Sequence, residues 1–273
     1  YPVAVIGKVG EDAHADLIRQ TLRNNNILDT DLIIDPGHPT SGTQVLYIRM
    51  PDGKIERFFQ HWLGAMGSID LDDIDVSRLS NFKIAMFGYG LLLPKLDLHD
   101  DEFGTRLGRV LAATQKLGVK TAIDFVSPNA ENEFKFHRYR DSLQYVDYIS
   151  INDDQACSLT QTSDPAQACQ ALVEDFLAKT AVVHCGACGP NFAYSMTTGL
   201  LTQDNFYVSE HDNKGNAGAG DAFAAGFLHG CHREWPLADS LRFAAAAAAV
   251  SLGDPSCTGA MQPESAILNF MEN

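Results

Sequence analysis

The sequence predicts an α/β fold, a mostly parallel sheet with helices on both faces. Two observations carry that prediction. Short apolar runs of strand length alternate with longer stretches whose apolar residues recur at helical spacing, the order that builds a parallel sheet through helical crossovers. A hydrophobic content of 45% over 273 residues supplies a core large enough to bury such a sheet.

The elements follow in order. VAVIG at 3–7 is the first strand, and 11–25 the first helix, with Ala15, Leu17, Ile18 and Leu22 on its apolar stripe. KIAMFGYG at 83–90 is a strand that leads to a helix over 101–118. Strands are expected at 120–125 and 146–152, a helix at 167–180 and a further strand at 181–186. Two segments break the rhythm. TQVLYIRM at 43–50 and KIERFFQH at 54–61 flank Pro-Asp-Gly, and Asp52-Gly53 is a hairpin turn signal because Gly accepts a positive φ. Such a hairpin does not join a parallel sheet easily, so a small separate sheet, a flap or a lid is expected. Near the end, 238–253 reads as a helix whose six consecutive alanines call for close packing against another helix or backbone.

Charge and cysteine content narrow the function. Lys and Arg total 20 against 35 Asp and Glu, a formal charge of −15, which disfavours nucleic acid and anionic membrane as partners. No apolar run approaches the length of a membrane span, and no signal peptide is visible. Six scattered cysteines do not make a disulfide framework, so reduced thiols and a cytoplasmic protein are expected. Cys185 and Cys188 form a lone C-x-x-C after the apolar run AVVH; without a second pair to complete a zinc site, it reads as a turn.

The chemistry points to GNAGAGDAFAAGF at 215–227. A glycine-rich turn that enters a helix presents unpaired N–H groups and the positive end of the helix dipole, a site suited to phosphate. Asp221 would repel a phosphate as a ligand but serves well as a base beside one. It also suits the first turn of a helix as a cap. The glycine-acid pattern alone leaves those two readings level. A dinucleotide-binding reading is weak, because that glycine motif belongs early in a βαβ unit.

The segment GAGDAFAAGFLHG at 218–230 closely resembles the G-A-G-D-x-F-x-x-G-F signature of the ribokinase-like (PfkB-type) carbohydrate kinases. VIGKVGEDAHADLIRQTLRNNNI at 5–27, the strands TSGTQVLYI and ERFFQHWLGA, DYISINDDQA at 147–156 and AAAAVSLGDPSCTGA at 246–260 resemble further parts of that family in the same order. The resemblance implies one domain over 1–273, doubly wound, with a small β lid inserted at about 41–64. It implies transfer of the γ-phosphate of ATP to a hydroxyl of a small sugar, sugar phosphate or nucleoside. Asp221 would be the general base, and the amides of Gly218, Ala219 and Gly220 the anion hole. Asn152 and Gln155 would stand where the family positions magnesium and phosphate through water, with no direct protein ligand to the metal. ATP and Mg2+ are the cofactors implied, a monovalent cation such as K+ is admitted near 246–260, and pairing of lid strands would make a homodimer.

Four departures from the family pattern stand out. The family opens with a strand carrying a substrate-binding Asp and a later Gly-Gly motif, and nothing before Tyr1 supplies either, so a missing or unlisted N-terminal segment is expected. The N-x-x-E motif reads Asn152-Asp153-Asp154-Gln155; Gln lacks the charge of Glu, so weaker metal-water binding is expected. Gly215 stands where the family usually has Asp, with Asp212 nearby. The lid motif G-A-N reads Gly64-Ala65-Met66, and Met is a packing residue. These departures raise a second reading, a kinase-fold protein that binds sugar or nucleotide but catalyses weakly.

Overall fold

Val3–Val9 (β1) and Ile27–Ile34 (β2) pair in parallel around the helix Ala13–Asn24 (α1). The computed structural model describes residues 1–51, 53, 55–126 and 133–272; Asp52, half of the expected turn signal, lies outside them. Ala15, Ile18 and Leu22 of α1 pack with Val5, Val9 and Leu32. Leu17 does not belong to that stripe: it is 60% exposed, because it lies off the face defined by 15, 18 and 22. The strand β2 went unassigned in the sequence, since ILDTDLII carries polar residues at three of its first five positions. Asp12 caps α1 by accepting from Ala15 N–H at 3.0 Å. It also accepts from the Thr40 N–H and hydroxyl, both at 2.7 Å, and these bonds hold its carboxyl down at about 2.

The hairpin strands Gly42–Arg49 (β3) and Ile55–Trp62 (β4) pair antiparallel in a two-stranded sheet of their own. At its root the Trp62 ring lies against Gly42, where any side chain would collide with it, and the indole N–H donates to Thr40 O at 3.0 Å. These elements, with residues up to 75 and 91–99, form one compact unit; residues 76–90 and 100–273 form a second.

The second unit holds a six-stranded sheet. Ile84–Gly90 (β5), the two-residue strands His99–Asp100 (β6) and Gly104–Thr105 (β7), the helix Arg106–Lys116 (α2) and Lys120–Phe125 (β8) come first. The helix Glu133–Arg138 (α3), Tyr148–Asn152 (β9), the helices Asp153–Thr160 (α4) and Pro165–Glu174 (α5), and Thr180–His184 (β10) follow. The strands Asn191–Ser195 (β11) and Gly199–Gln203 (β12) precede three helices, Ala219–His232 (α6), Leu237–Ser251 (α7) and Glu264–Glu272 (α8). The strand order is β12-β11-β10-β9-β8-β5. The four strands from β10 to β5 run parallel, and β11–β12 add an antiparallel edge. The central residues of β8, β9 and β10 are buried on both faces, as helices on both sides require.

Two expected helices are shorter than the sequence suggested. The first begins at Arg106, because Thr105 takes the cap position and accepts from Gly108 N–H. The second ends at Glu174, and Leu177 beyond it adopts a positive φ of 66°. The alanine run lies in α7. Val182, Ala193, Phe223, Phe227, Leu241, Ala244 and Ala245 form one buried cluster. Gly226 of α6 permits the close approach, since a Cβ there would stand 2.9 Å from the Ala247 Cβ.

Candidate active site

The glycine-rich turn folds as its chemistry demands. Gly218 is the cap of α6 with φ 79°, a conformation that favours glycine. A Cβ at 218 would also stand 2.7 Å from Cys257 O, so the backbone at 257 presses directly on the turn. Ala222 N–H closes the first helical bond onto Gly218 O, and Ala219 N–H reaches Asn216 O at a long 3.4 Å. The N–H groups of Gly218 and Gly220 have no protein acceptor among the described residues. Two N–H groups without a protein acceptor and the positive end of the helix dipole lie together in a turn that itself carries no bulky side chain, which fits the phosphates of a nucleotide.

Asp221 is the third residue of α6, an acid in the first turn as the helix-start reading expects, and its carboxylate accepts from its own backbone N–H rather than from a later amide. Its side chain reaches solvent, yet the surrounding protein removes enough hydration to raise its carboxyl above the ordinary aspartate range. Its Oδ1 accepts from the hydroxyl of Tyr89, near the end of β5.

The parallel strands deliver further polar groups to the same end of the sheet. Asn152 ends β9 and caps α4: its Oδ1 accepts from Gln155 N–H at 2.8 Å, and Gln155 Oε1 accepts from Asn152 N–H at 3.0 Å. Gln155 is 5% exposed, and its Nε2 donates to Phe125 O at 2.9 Å. The geometry thus ties Gln155 to the junction of β8, β9 and α4. Asp124, one residue before the end of β8, is 6% exposed; burial pushes its carboxyl up to about 7, against a bond from Phe125 N–H that works the other way. His184 ends β10 opposite Asn152, and its ring lies against Gly220 and Phe223. Burial brings the imidazole down to about 4, which keeps it neutral at pH 7.

The remaining sequence candidates have partners of their own. Asp212 is engaged by Ser209 and His211 in an exposed turn. The sulfur of Met66 accepts from Lys8 N–H at 3.1 Å and packs on β1, a packing role as its chemistry suggests. Cys185 is buried at the exit of β10, where Gly186–Cys188 makes a single 3-10 turn. Among the described residues no group of three or more His, Cys, Asp or Glu is placed to hold a metal ion.

Sequence reasoning missed Asp124, His184 and Tyr89. The first two had a signal, an ionisable residue at the end of an apolar strand. Tyr89 had none, because its partner lies 132 residues away.

A family model described as pfkB family carbohydrate kinase matches residues 2–264. The chain belongs to that family. The kinase is 32% identical over 279 residues to a 5-dehydro-2-deoxygluconokinase of Geobacillus kaustophilus, an alignment that covers 98% of this chain and 78% of the relative. Its fold matches that of Arabidopsis thaliana ribokinase complexed with ribose and ATP, with a TM-score of 0.78, 21% identity, and coverage of 100% of this chain and 83% of the other. A Xylella fastidiosa fructokinase with bound ATP matches with a TM-score of 0.76, 20% identity, and coverage of 98% and 84%. The resemblance drawn from the motifs therefore holds over nearly the whole kinase, and so does the ribokinase-like fold.

Proposed function

We propose that this carbohydrate kinase transfers the γ-phosphate of ATP to a hydroxyl of a small sugar, with Asp221 as general base. One observation carries the assignment. A carboxylate with a raised proton affinity stands in the same helical turn as two N–H groups that lack a protein acceptor. Those amides would hold the transferred phosphate while Asp221 takes the proton of the attacking hydroxyl. In the balanced step the acceptor O–H bond breaks, its proton passes to Asp221 and the oxygen bonds the γ-phosphorus. The bond from that phosphorus to the bridging oxygen breaks, and ADP leaves with the electron pair.

The side chains of Asn152 and Gln155 each accept from the other residue's backbone N–H, so we place Mg2+ on the nucleotide phosphates and water, with Asn152 the nearer of the two to solvent. A monovalent cation beside the stretch 246–260 stays part of the family-based reading. The relatives named for 5-dehydro-2-deoxygluconate put that compound first among acceptors to try, ahead of ribose, fructose and nucleosides. Among the described residues five cysteines stand outside any disulfide, which supports a reducing, cytoplasmic setting. The hairpin carries exposed Tyr47 and Phe59 on one face and exposed Leu46, Ile48 and Phe58 on the other, which supports a homodimer through it. Sedimentation velocity reporting a monomer at micromolar concentration would remove that dimer.

The functional test is ADP release from Mg-ATP across that panel of acceptors. Turnover on one acceptor is expected. A chain that binds ATP, seen as a raised melting temperature, but phosphorylates none of them would contradict the proposal.

A further inference from the structure

Tyr89 and Asp221 come from distant elements. Tyr89 lies near the C-terminal end of β5, the edge strand of the sheet, and Asp221 lies in the first turn of α6, whose Gly220 rests against His184 at the end of β10. In the sheet, β8 and β9 lie between β5 and β10. The bond from the Tyr89 hydroxyl to Oδ1 of Asp221 therefore spans the strand ends that carry Asp124 and Asn152. A phenol that served only packing would not need to reach across two strands to a half-solvated carboxylate.

We propose that Tyr89 is a positioning residue for phosphate transfer: its hydroxyl holds Oδ1 of Asp221 and leaves Oδ2 to receive the proton of the acceptor. This rests on the reading of Asp221 as the general base. The physical consequence has a definite sign. Burial favours the protonated carboxyl, which is useless as a base, and a hydrogen bond donated to the ionised form favours the carboxylate. Tyr89 thus keeps a crowded base ionised and fixes its rotamer. Among the described residues, Tyr89 is the one titratable side chain bonded to Asp221. His184, on β10 beside Gly220, is held neutral by burial and adds no charge near pH 7.

The test compares Tyr89→Phe, Asp221→Asn and the unaltered kinase. Tyr89→Phe keeps the ring and removes only the donor. The Asp221 carboxyl is followed by NMR in protein labelled with 13C at aspartate side chains, its signal assigned by its loss in Asp221→Asn. That reading needs no substrate. A hydrogen bond to a charged group corresponds to a displacement of about 1–2 pH units, so the Asp221 titration is expected to move upward by that amount in Tyr89→Phe. The acid limb of kcat should move with it, with turnover falling roughly tenfold below that limb and recovering at alkaline pH, while KM for ATP stays unchanged. Tyr89→Phe with an unmoved titration and an unmoved acid limb overturns the proposal. So does a turnover loss equal at every pH, which marks a merely structural role. If Asp221→Asn retains turnover, the base assignment itself falls; if Asp221→Asn is inactive and Tyr89→Phe is unshifted, only the positioning role falls.

Discussion

Replacing Asp124 with Asn should make the protein more stable, and increasingly so as the pH rises. Asp124 is 6% exposed and has no cationic partner among the described residues, so folding disfavours its ionised form and lifts its carboxyl to about 7 from an ordinary 3.8. The sign follows from proton linkage. Between those two values the folded state binds more protons than the unfolded one, so stability falls as pH rises. Each pH unit in that window costs about 1.4 kcal/mol, and the whole window about 4 kcal/mol as an upper figure. Asn keeps the oxygen that accepts from Phe125 N–H at 2.7 Å and cannot ionise. The difference in unfolding free energy between Asp124→Asn and the unaltered protein should therefore sit near zero at pH 4, grow through pH 5 and 6, and level off above pH 7. Urea titrations at half-unit pH intervals measure this difference directly, and all other titrating groups cancel from it. A difference that is flat with pH, or that favours the unaltered protein more at pH 8 than at pH 5, would refute the buried, unpaired description of Asp124.

Two further substitutions test the packing around the site. Gly226→Ala puts a methyl 2.9 Å from the Ala247 Cβ and 3.0 Å from the Ala244 Cα, so it should destabilise by about 1–3 kcal/mol in urea unfolding, although Ala is the better helix former; a gain of about 1 kcal/mol would contradict the α6–α7 contact. Gln155→Glu removes the donor to Phe125 O and sets a carboxylate against that carbonyl, so it should cost about 1–3 kcal/mol at pH 8 and less at pH 5, where a protonated Glu can donate. Equal stability at pH 8 would mean that the Gln155–Phe125 bond does not matter.

Much of the fold was legible because the central strands are buried on both faces and so read as unbroken apolar runs. Residues 120–125 appeared as a strand with its observed bounds, and the alanine run announced a close helix contact. The misses have physical causes. Strand β2 is partly exposed and carries Asp29, Thr30 and Asp31, which masks its periodicity. The β11–β12 hairpin turns through the three residues Met196-Thr197-Thr198, which carry no strong two-residue signal. At the site, the phosphate cradle was readable because glycine, an acid and an apolar run are adjacent in the chain. The engagement of Gln155 with Phe125 O was not, since it depends on two strands being neighbours. For the same reason, the meeting of Tyr89 with Asp221 left no trace in the sequence.

The most direct test of the central claim is phosphate transfer by Asp221→Asn. The measurement is ADP formation from Mg-ATP with the best acceptor found for the unaltered kinase, paired with ATP binding by calorimetry. Removal of a general base should lower kcat by on the order of 10²–10⁴-fold, and ATP affinity should change little because the Gly218 and Gly220 amides remain. Turnover within a few-fold of the unaltered kinase would contradict the assignment of Asp221 as the base.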